Sequence, residues 1–254
     1  MKQPQTRSAL SPLDYDEQWS RLSDFIKYNP GARHRRRLIA DAISKLPPPS
    51  TVLEVGCGPG ELIMDLKRLC PTAKLTGLDL STVAIEACRR AHPDVAFHVA
   101  DIVEGALDSS FDLIVCSEVT EHVDDPVRAL RNMRTMTTEG GFLMLTTPHG
   151  RIHSTELAIG HLKHPTRSEL TQWLQEAGFA VVRMRQWGWP GYTTLKYVAN
   201  LAPETVVDHL GQGEYSETMR RLNDIAYHLA RWFSLPASPL GPQFVVTAQA
   251  GSLR

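Results

Sequence analysis

Residues 118–122 read Glu-Val-Thr-Glu-His, which places two carboxylates and an imidazole in one short segment. Four of the ten histidines, His149, His153, His161 and His164, follow not far downstream. Two chemistries fit these residue types. Glu118, Glu121 and His122, completed by a later histidine such as His161, form a donor set for a divalent cation, Mg or Zn. Hard cations take carboxylates, and imidazole tolerates several metals. A cation so held would bind and acidify a hydroxyl. Alternatively, the site is metal-free and His149, His122 or Glu121 shapes it or moves a proton. Taken alone, the sequence favours this second reading, with a histidine, such as His149, as base or positioning residue.

A second constellation lies upstream, in Leu53-Glu54-Val55-Gly56-Cys57-Gly58-Pro59-Gly60-Glu61. Glycines let a backbone turn tightly and approach a ligand without interference from Cβ. The G-x-G-x-x-G fingerprint of dinucleotide sites is not met, because the third glycine comes one residue early and Glu61 takes its place. The carboxylate of Glu54 before the turn would repel a pyrophosphate and attract a cationic amino-acid moiety. This spacing favours S-adenosylmethionine (SAM) over NAD. Asp79, with Leu80 beside it, falls where a carboxylate can accept hydrogen bonds from two ribose hydroxyls. Asp101 suits an adenine amine, and Ile102 suits the face of the ring.

These residues need a scaffold that brings successive strand ends together, and the apolar pattern supplies one. Strands are expected at Thr51–Val55, Lys74–Asp79, Val95–Val99, Phe111–Cys116, Gly141–Thr147, Phe179–Met184 and Phe244–Ala248. Helices are expected at Glu61–Leu69, after Ser81 as N-cap, from Asp125-Pro126 through Met133, and after the capping box Thr166-x-x-Glu169, closed by Gly178. Apolar positions Leu22, Ile26, Leu38, Ile39 and Ile43 between Glu17 and Leu46 predict two further helices, split at Asn29-Pro30-Gly31. Pro47-Pro48-Pro49 ends them. The alternation is that of an α/β, doubly wound, Rossmann-like sheet with helices on both faces.

With its motifs E-V-G-C-G-P-G (54–60), G-L-D-L-S (77–81), A-D-I (100–102), F-D-L-I-V-C-S-E-V-T-E-H-V-D-D-P (111–126) and G-G-F-L-M-L-T-T-P (140–148), the chain resembles the class I SAM-dependent methyltransferases. The resemblance covers roughly residues 35–185 and the terminal strand. Within that class it is similar to ubiquinone-pathway O-methyltransferases. More distantly, the E-x-x-E-H segment is similar to that of small-RNA 2′-O-methyltransferases. The resemblance implies a seven-stranded sheet whose last strand is antiparallel. It also implies that Gly56, Gly58 and Gly60 line the methionine part, that Asp79 binds ribose, and that Asp101 and Ile102 hold adenine. Ser117 and Glu118 would lie beside the cofactor.

The domain reading is an N-terminal arm (1–15) and helices up to residue 46, then a SAM-binding core (47–186). An inserted, partly helical and aromatic substrate lid (187–242) and a final strand and tail (243–254) follow. Trp187, Trp189 and Tyr192 open that lid, and its rings are expected chiefly to pack, with some facing an acceptor. A net charge of -1 gives no global case for nucleic acid or an anionic membrane. The run Arg33-His34-Arg35-Arg36-Arg37 is expected to be a solvated helix face or, alternatively, a contact for a phosphate or an acidic substrate. Four cysteines without C-x-x-C spacing read as buried and reduced. With no apolar run of about 20 residues and no signal-like N-terminus, the expected address is cytoplasmic.

The function expected is methyl transfer from SAM to a small-molecule acceptor, most simply to oxygen. Its partners would be that acceptor and, at most, a second copy forming a homodimer. The alternatives are metal-dependent RNA ribose methylation and a non-catalytic SAM-binding regulator.

Overall fold

The computed structural model describes residues 16, 19, 23–210 and 214–251. The expected arm over residues 1–15, as well as Glu17 and Leu22, lies outside the described residues.

Helices α1 (Ser23–Tyr28) and α2 (Pro30–Ile43) break where the sequence predicts. Asn29 accepts a hydrogen bond from the Ala32 amide (3.2 Å) and Pro30 occupies the first turn, so the cap that starts α2 also ends α1. There follow β1 (Thr51–Val55), α3 (Glu61–Leu69), β2 (Lys74–Asp79), α4 (Thr82–Ala91), β3 (Ala96–Val99), β4 (Phe111–Ser117), α5 (Pro126–Thr135) and β5 (Thr137–Pro148). The chain continues through α6 (Ser154–Ala158), α7 (Arg167–Glu176), β6 (Phe179–Trp187), α8 (Gly191–Ala199), α9 (Pro203–Leu210), α10 (Glu217–Phe233) and β7 (Gln243–Ala250).

The expected caps are present. Ser81 Oγ accepts from Ala84 N (3.1 Å), Asp125 Oδ1 from Arg128 N (2.9 Å), and Thr166 and Glu169 close a reciprocal capping box. Strand β5 starts earlier than predicted. Thr137 pairs with Phe111 before a register shift, and regular pairing resumes at Phe142 with Leu113. Glycines at 140 and 141 obscure that first stretch in the sequence. Strand β6 runs through Trp187, so the insertion begins at Gly188 rather than at Trp187.

The seven strands form one sheet in the order β3-β2-β1-β4-β5-β7-β6. Strands β1 to β5 pair in parallel, and β7 runs antiparallel between β5 and β6. One core lies beneath α5 and α7, with Leu130, Met133, Leu170 and Leu174 fully buried against Ile114, Leu145 and Val246. The other lies beneath α2, α3 and α4, where Ile39, Ile63, Leu66 and Ile85 pack on Val52, Val115 and Met144. Each such side chain contributes about 1.5–3 kcal/mol by leaving water. All four cysteines are buried and unbridged. Among the described residues, no helix is long and apolar enough to cross a membrane.

The insertion forms α8, α9 and α10. Helix α10 packs on α8, α1 and α2, so the N-terminal helices and the insertion share one layer above the strand ends. His34 of α2 marks the junction. It is fully buried, its Nε2 bonds the Tyr227 carbonyl (3.1 Å), and its ring sits between Trp187 and Tyr227 at 4.6 and 4.4 Å.

Candidate functional site

Beneath that layer, at the carboxyl ends of the parallel strands, lies a cavity of about 730 Å³. Open α/β sheets bind ligands at this place. One wall is the glycine turn after β1. Gly56, Gly58 and Gly60 all have positive φ (72°, 47° and 89°), a region costly for residues bearing Cβ. The amides of Gly56 and Cys57 donate to the Leu78 carbonyl at 2.7 and 3.0 Å, which ties the turn to β2. Trp19 covers the turn, with its indole edge 2.9 Å from where a Cβ on Gly58 would stand. No local pattern in the sequence points to Trp19.

The expected cofactor residues converge here. Glu54, Gly56, Gly58, Asp79, Leu80, Asp101, Ile102, Ser117 and Glu118 all border the cavity, and Gly60 caps α3 just behind it. Asp79 is buried. Its Oδ2 accepts from Gly58 N (2.8 Å) and its Oδ1 from Ser81 N (2.9 Å). Burial pushes its pKa up, against the opposing pull of those amides. It therefore braces the turn as well as facing the cavity. Glu54 is buried, with Oε2 unpartnered, and burial, then neighbouring Cys88 and Asp79, raise its pKa well above the usual carboxylate range. The Arg36 charge opposes this rise but is the smallest of these influences. Asp101 Oδ1 accepts from Val103 N (2.8 Å), and Ile102 packs in the core at the cavity edge.

Beyond the turn, Glu118 follows β4 with φ of 60°. Its Oε1 accepts from Gln243 Nε2 (2.7 Å) and Thr146 Oγ1 (3.0 Å), and its Oε2 lies 3.5 Å from the Arg35 guanidinium. Ser117 Oγ bonds the same Thr146 hydroxyl (2.9 Å). Glu118 is thus engaged by protein groups.

Three other members of the expected donor set do converge. Glu121, His122 and His161 offer ligand atoms within 4.8 Å of one another, and Glu118 is not in that group. Glu121 is fully buried. Its Oε2 accepts from Thr147 Oγ1 (3.2 Å), whereas Oε1 has no partner. Burial, then the Glu118 charge, raises its pKa well above normal. His122 Nδ1 faces the Gly160 carbonyl (3.2 Å), which can only accept, so Nδ1 carries the proton and Nε2 a lone pair. The His161 ring lies 4.7 Å from that of His122. Burial is the main cause lowering the pKa of both imidazoles, that of His161 to about 2, and both are neutral near neutral pH. A carboxylate oxygen without a partner beside two neutral imidazoles fits a cation.

His149 is placed elsewhere. Its Nδ1 bonds the Pro165 carbonyl (3.0 Å), its ring packs on Phe244 at 4.7 Å, and it does not border the cavity. His164 bonds His161, and His153 lies against Tyr197.

The basic run departs from the solvated face expected of it. Arg35 and Arg36 are only 18% and 17% exposed, and both border the cavity. Arg36 donates to the Ile26 carbonyl (2.7 Å) and pairs with Asp65, and Arg33 pairs with Asp224. Arg35 sits one helical turn from the buried Leu38 and Ile39, and that spacing is the signal that could have placed it inward. Across the cavity, α8 contributes Tyr192 and Lys196, and α10 contributes Met219 and Leu222. The rings of Trp187 and Tyr227 are packed, and Trp232 is 85% exposed.

A family described as a methyltransferase domain matches residues 32–184. The ubiquinone biosynthesis O-methyltransferase of Cupriavidus pinatubonensis is 27% identical over 180 residues, covering 63% of this chain and 70% of the relative. A malonyl-[acyl-carrier protein] O-methyltransferase from Anoxybacillus flavithermus is 30% identical over 129 residues, 47% of this chain and 50% of the relative. The chain thus spans 50–70% of the length of these two relatives. Among solved structures, the N-methyltransferase NodS from Bradyrhizobium japonicum, in complex with S-adenosyl-l-homocysteine, superposes with a TM-score of 0.60. Its identity is 20%, over 94% of this chain and 98% of that one, a likeness of fold.

Proposed function

Because the chain belongs to the methyltransferase-domain family and is a class I SAM-dependent methyltransferase, we propose that it methylates an oxygen of a small-molecule acceptor with the help of a divalent cation. The observation that carries this reading is the buried, unpartnered Glu121 Oε1 beside His122 and His161. Together with the position of His149 away from the cavity, it supports the cation reading over the metal-free one preferred from sequence alone. The O-methyltransferase names of the relatives support the acceptor atom.

In this reading Glu54 and the turn at Gly56, Gly58 and Gly60 take the methionine end of SAM. Asp79 keeps lone pairs for the ribose hydroxyls beside its two amide bonds, and Asp101 and Ile102 take the adenine. The ammonium of that methionine end would bring a positive charge to Glu54. Methyl transfer is an in-line displacement, so the protein supplies proximity and alignment. The cation, when bound, would polarise the acceptor hydroxyl and lower its pKa. Glu121, His122 and His161 would hold it. Glu118, fixed by Arg35, Thr146 and Gln243, would shape the floor between cofactor and acceptor. The insertion, with Tyr192, Lys196 and Leu222, would act as the acceptor lid.

RNA ribose methylation would need free cations to meet phosphates. Arg33, Arg35 and Arg36 are instead bound to Asp224, Glu118 and Asp65.

The test measures S-adenosylhomocysteine formation on a panel of phenols, catechols and amines, before and after chelation. Methylation of a hydroxyl that stops on metal removal and returns with Mg or Zn is the expected result. Undiminished turnover without metal removes the cation from the reading. Transfer only to amines removes the oxygen, and tight SAM binding with no turnover on any acceptor favours a regulator.

A further inference from the structure

Behind His161 lies a second histidine that the methyl-transfer chemistry does not use. His161 Nδ1 and His164 Nε2 are 2.8 Å apart, both rings are buried, and His164 has a side-chain exposure of only 1%. One proton must lie between two ring nitrogens at that distance, and two arrangements are available. If His164 donated from Nε2, its Nδ1 would be a bare lone pair. That Nδ1 is buried without a well-formed hydrogen bond, and the Gly150 carbonyl, itself only an acceptor, lies within reach of the ring. Two lone pairs would then oppose each other in a dry site. With the proton on His161 Nδ1, His164 carries its own proton on Nδ1 toward that carbonyl, and its Nε2 accepts. This arrangement leaves no such conflict.

We propose that His164 is a positioning residue: it accepts the His161 Nδ1 proton and so holds His161 in the tautomer whose free nitrogen, Nε2, can ligate the cation. The proposal rests on the cation reading given above. Outer partners of this kind fix the ring orientation and basicity of a metal-bound imidazole. His122 is held in the same way by the Gly160 carbonyl, so both imidazoles are committed to Nδ1–H and both leave Nε2 bare. Glu156 does not compete for this role. Its Oε1 is 4.0 Å from His164 Nε2, beyond hydrogen-bond range, and it is paired instead with Lys196 (2.7 Å), while its Oε2 accepts from His153 N (2.9 Å). Glu156, His161 and His164 do form a rival group with ligand atoms within 4.8 Å, and the experiment must separate the two positions.

The experiment titrates the full chain with Co²⁺ alone, following the visible spectrum, with calorimetric SAM affinity as a control for folding. His164→Phe removes the acceptor and should weaken Co²⁺ binding by roughly 10–100-fold with SAM affinity unchanged. His164→Gln restores an acceptor near the Nε2 position and should bind within about threefold of wild type, with the same spectrum. Should the Phe variant not fold, His164→Asn removes the same acceptor, because its amide ends near Nδ1. Glu156→Gln should leave Co²⁺ affinity unchanged. Wild-type affinity in the Phe or Asn variant overturns the proposal while leaving the cation reading intact. A Gln variant as weak as Phe, with an altered spectrum, overturns it by making His164 a ligand. A matching loss in Glu156→Gln places the metal in the rival group and overturns it too. No Co²⁺ binding by wild type overturns the cation reading, and this proposal with it.

Discussion

Glu118 adopts a φ of 60°, a conformation that a residue with a side chain holds only where its surroundings over-determine it. Those surroundings are visible, as Arg35, Thr146 and Gln243 all hold its carboxylate. Asp79 is similarly doubly engaged, because the amides of Gly58 and Ser81 point at different oxygens. Its replacement would therefore remove the proposed cofactor contact and the brace of the turn together. Asp79→Ala should weaken SAM binding by roughly 1.5–3 kcal/mol, the value of hydrogen bonds to a charged group. Asp79→Asn should lose nearly as much, since its amide NH₂ would face one of the two N–H donors. Unchanged calorimetric affinity in either variant would count against the assignment.

At the scale of elements, the site is made where strand ends meet helix starts, and neighbouring turns touch. The turn after β1 and the segment after β4 are in contact through Gly56 and Val119. A Cβ on Gly56 would collide with the Val119 side chain, and the backbone there, at φ of 72°, already disfavours one. Gly56→Ala is expected to cost about 1–3 kcal/mol, the range of strained backbone positions. It should also impair SAM binding and Co²⁺ binding together, because Val119 lies between Glu118 and Glu121. Chemical denaturation with paired SAM and Co²⁺ titrations checks this. A loss confined to SAM would show that the two turns are not coupled.

At the scale of the whole molecule, the insertion and the N-terminal helices form one roof, and buried His34 joins α2, α10 and β6. Burial, reinforced by Arg37, pulls its pKa from 6.5 down to about 3. The unfolded chain takes up this proton near 6.5 and the folded chain only near 3. Between those values the unfolded state binds more protons, so stability present above the upper value is lost as pH falls. The slope from one such group is at most about 1.4 kcal/mol per pH unit. His161, with its pKa pulled down to about 2, acts in the same direction. Thermal unfolding over this acidic range should show falling midpoints, with a shallower slope in His34→Phe whatever its stability at neutral pH. Identical slopes would clear His34 of any part in acid sensitivity.

The strand–helix alternation, the glycine turn, the carboxylates at Asp79 and Asp101, the helix break at Asn29 and the caps at Ser81, Asp125 and Thr166 could all be read from the chain alone. Each depends on neighbours a few residues apart or on a repeating apolar period, and short-range sterics and hydrogen bonding enforce such relations whatever the rest of the chain does. The sequence offered His161 as the histidine to join Glu121 and His122, but no local spacing singled it out from its three neighbours. The segment between β5 and α7 holds His149, His153, His161 and His164, and only its path back over the Glu121 carbonyl, through the Leu162 amide at 2.7 Å, presents His161. Of the partners of Glu118, Arg35 comes from α2 and Gln243 from β7, the latter 125 residues away. Contacts at such separations follow from how the sheet orders its strands and where the roof helices settle. Those outcomes reflect the packing of the whole chain at once, and no local spacing encodes them.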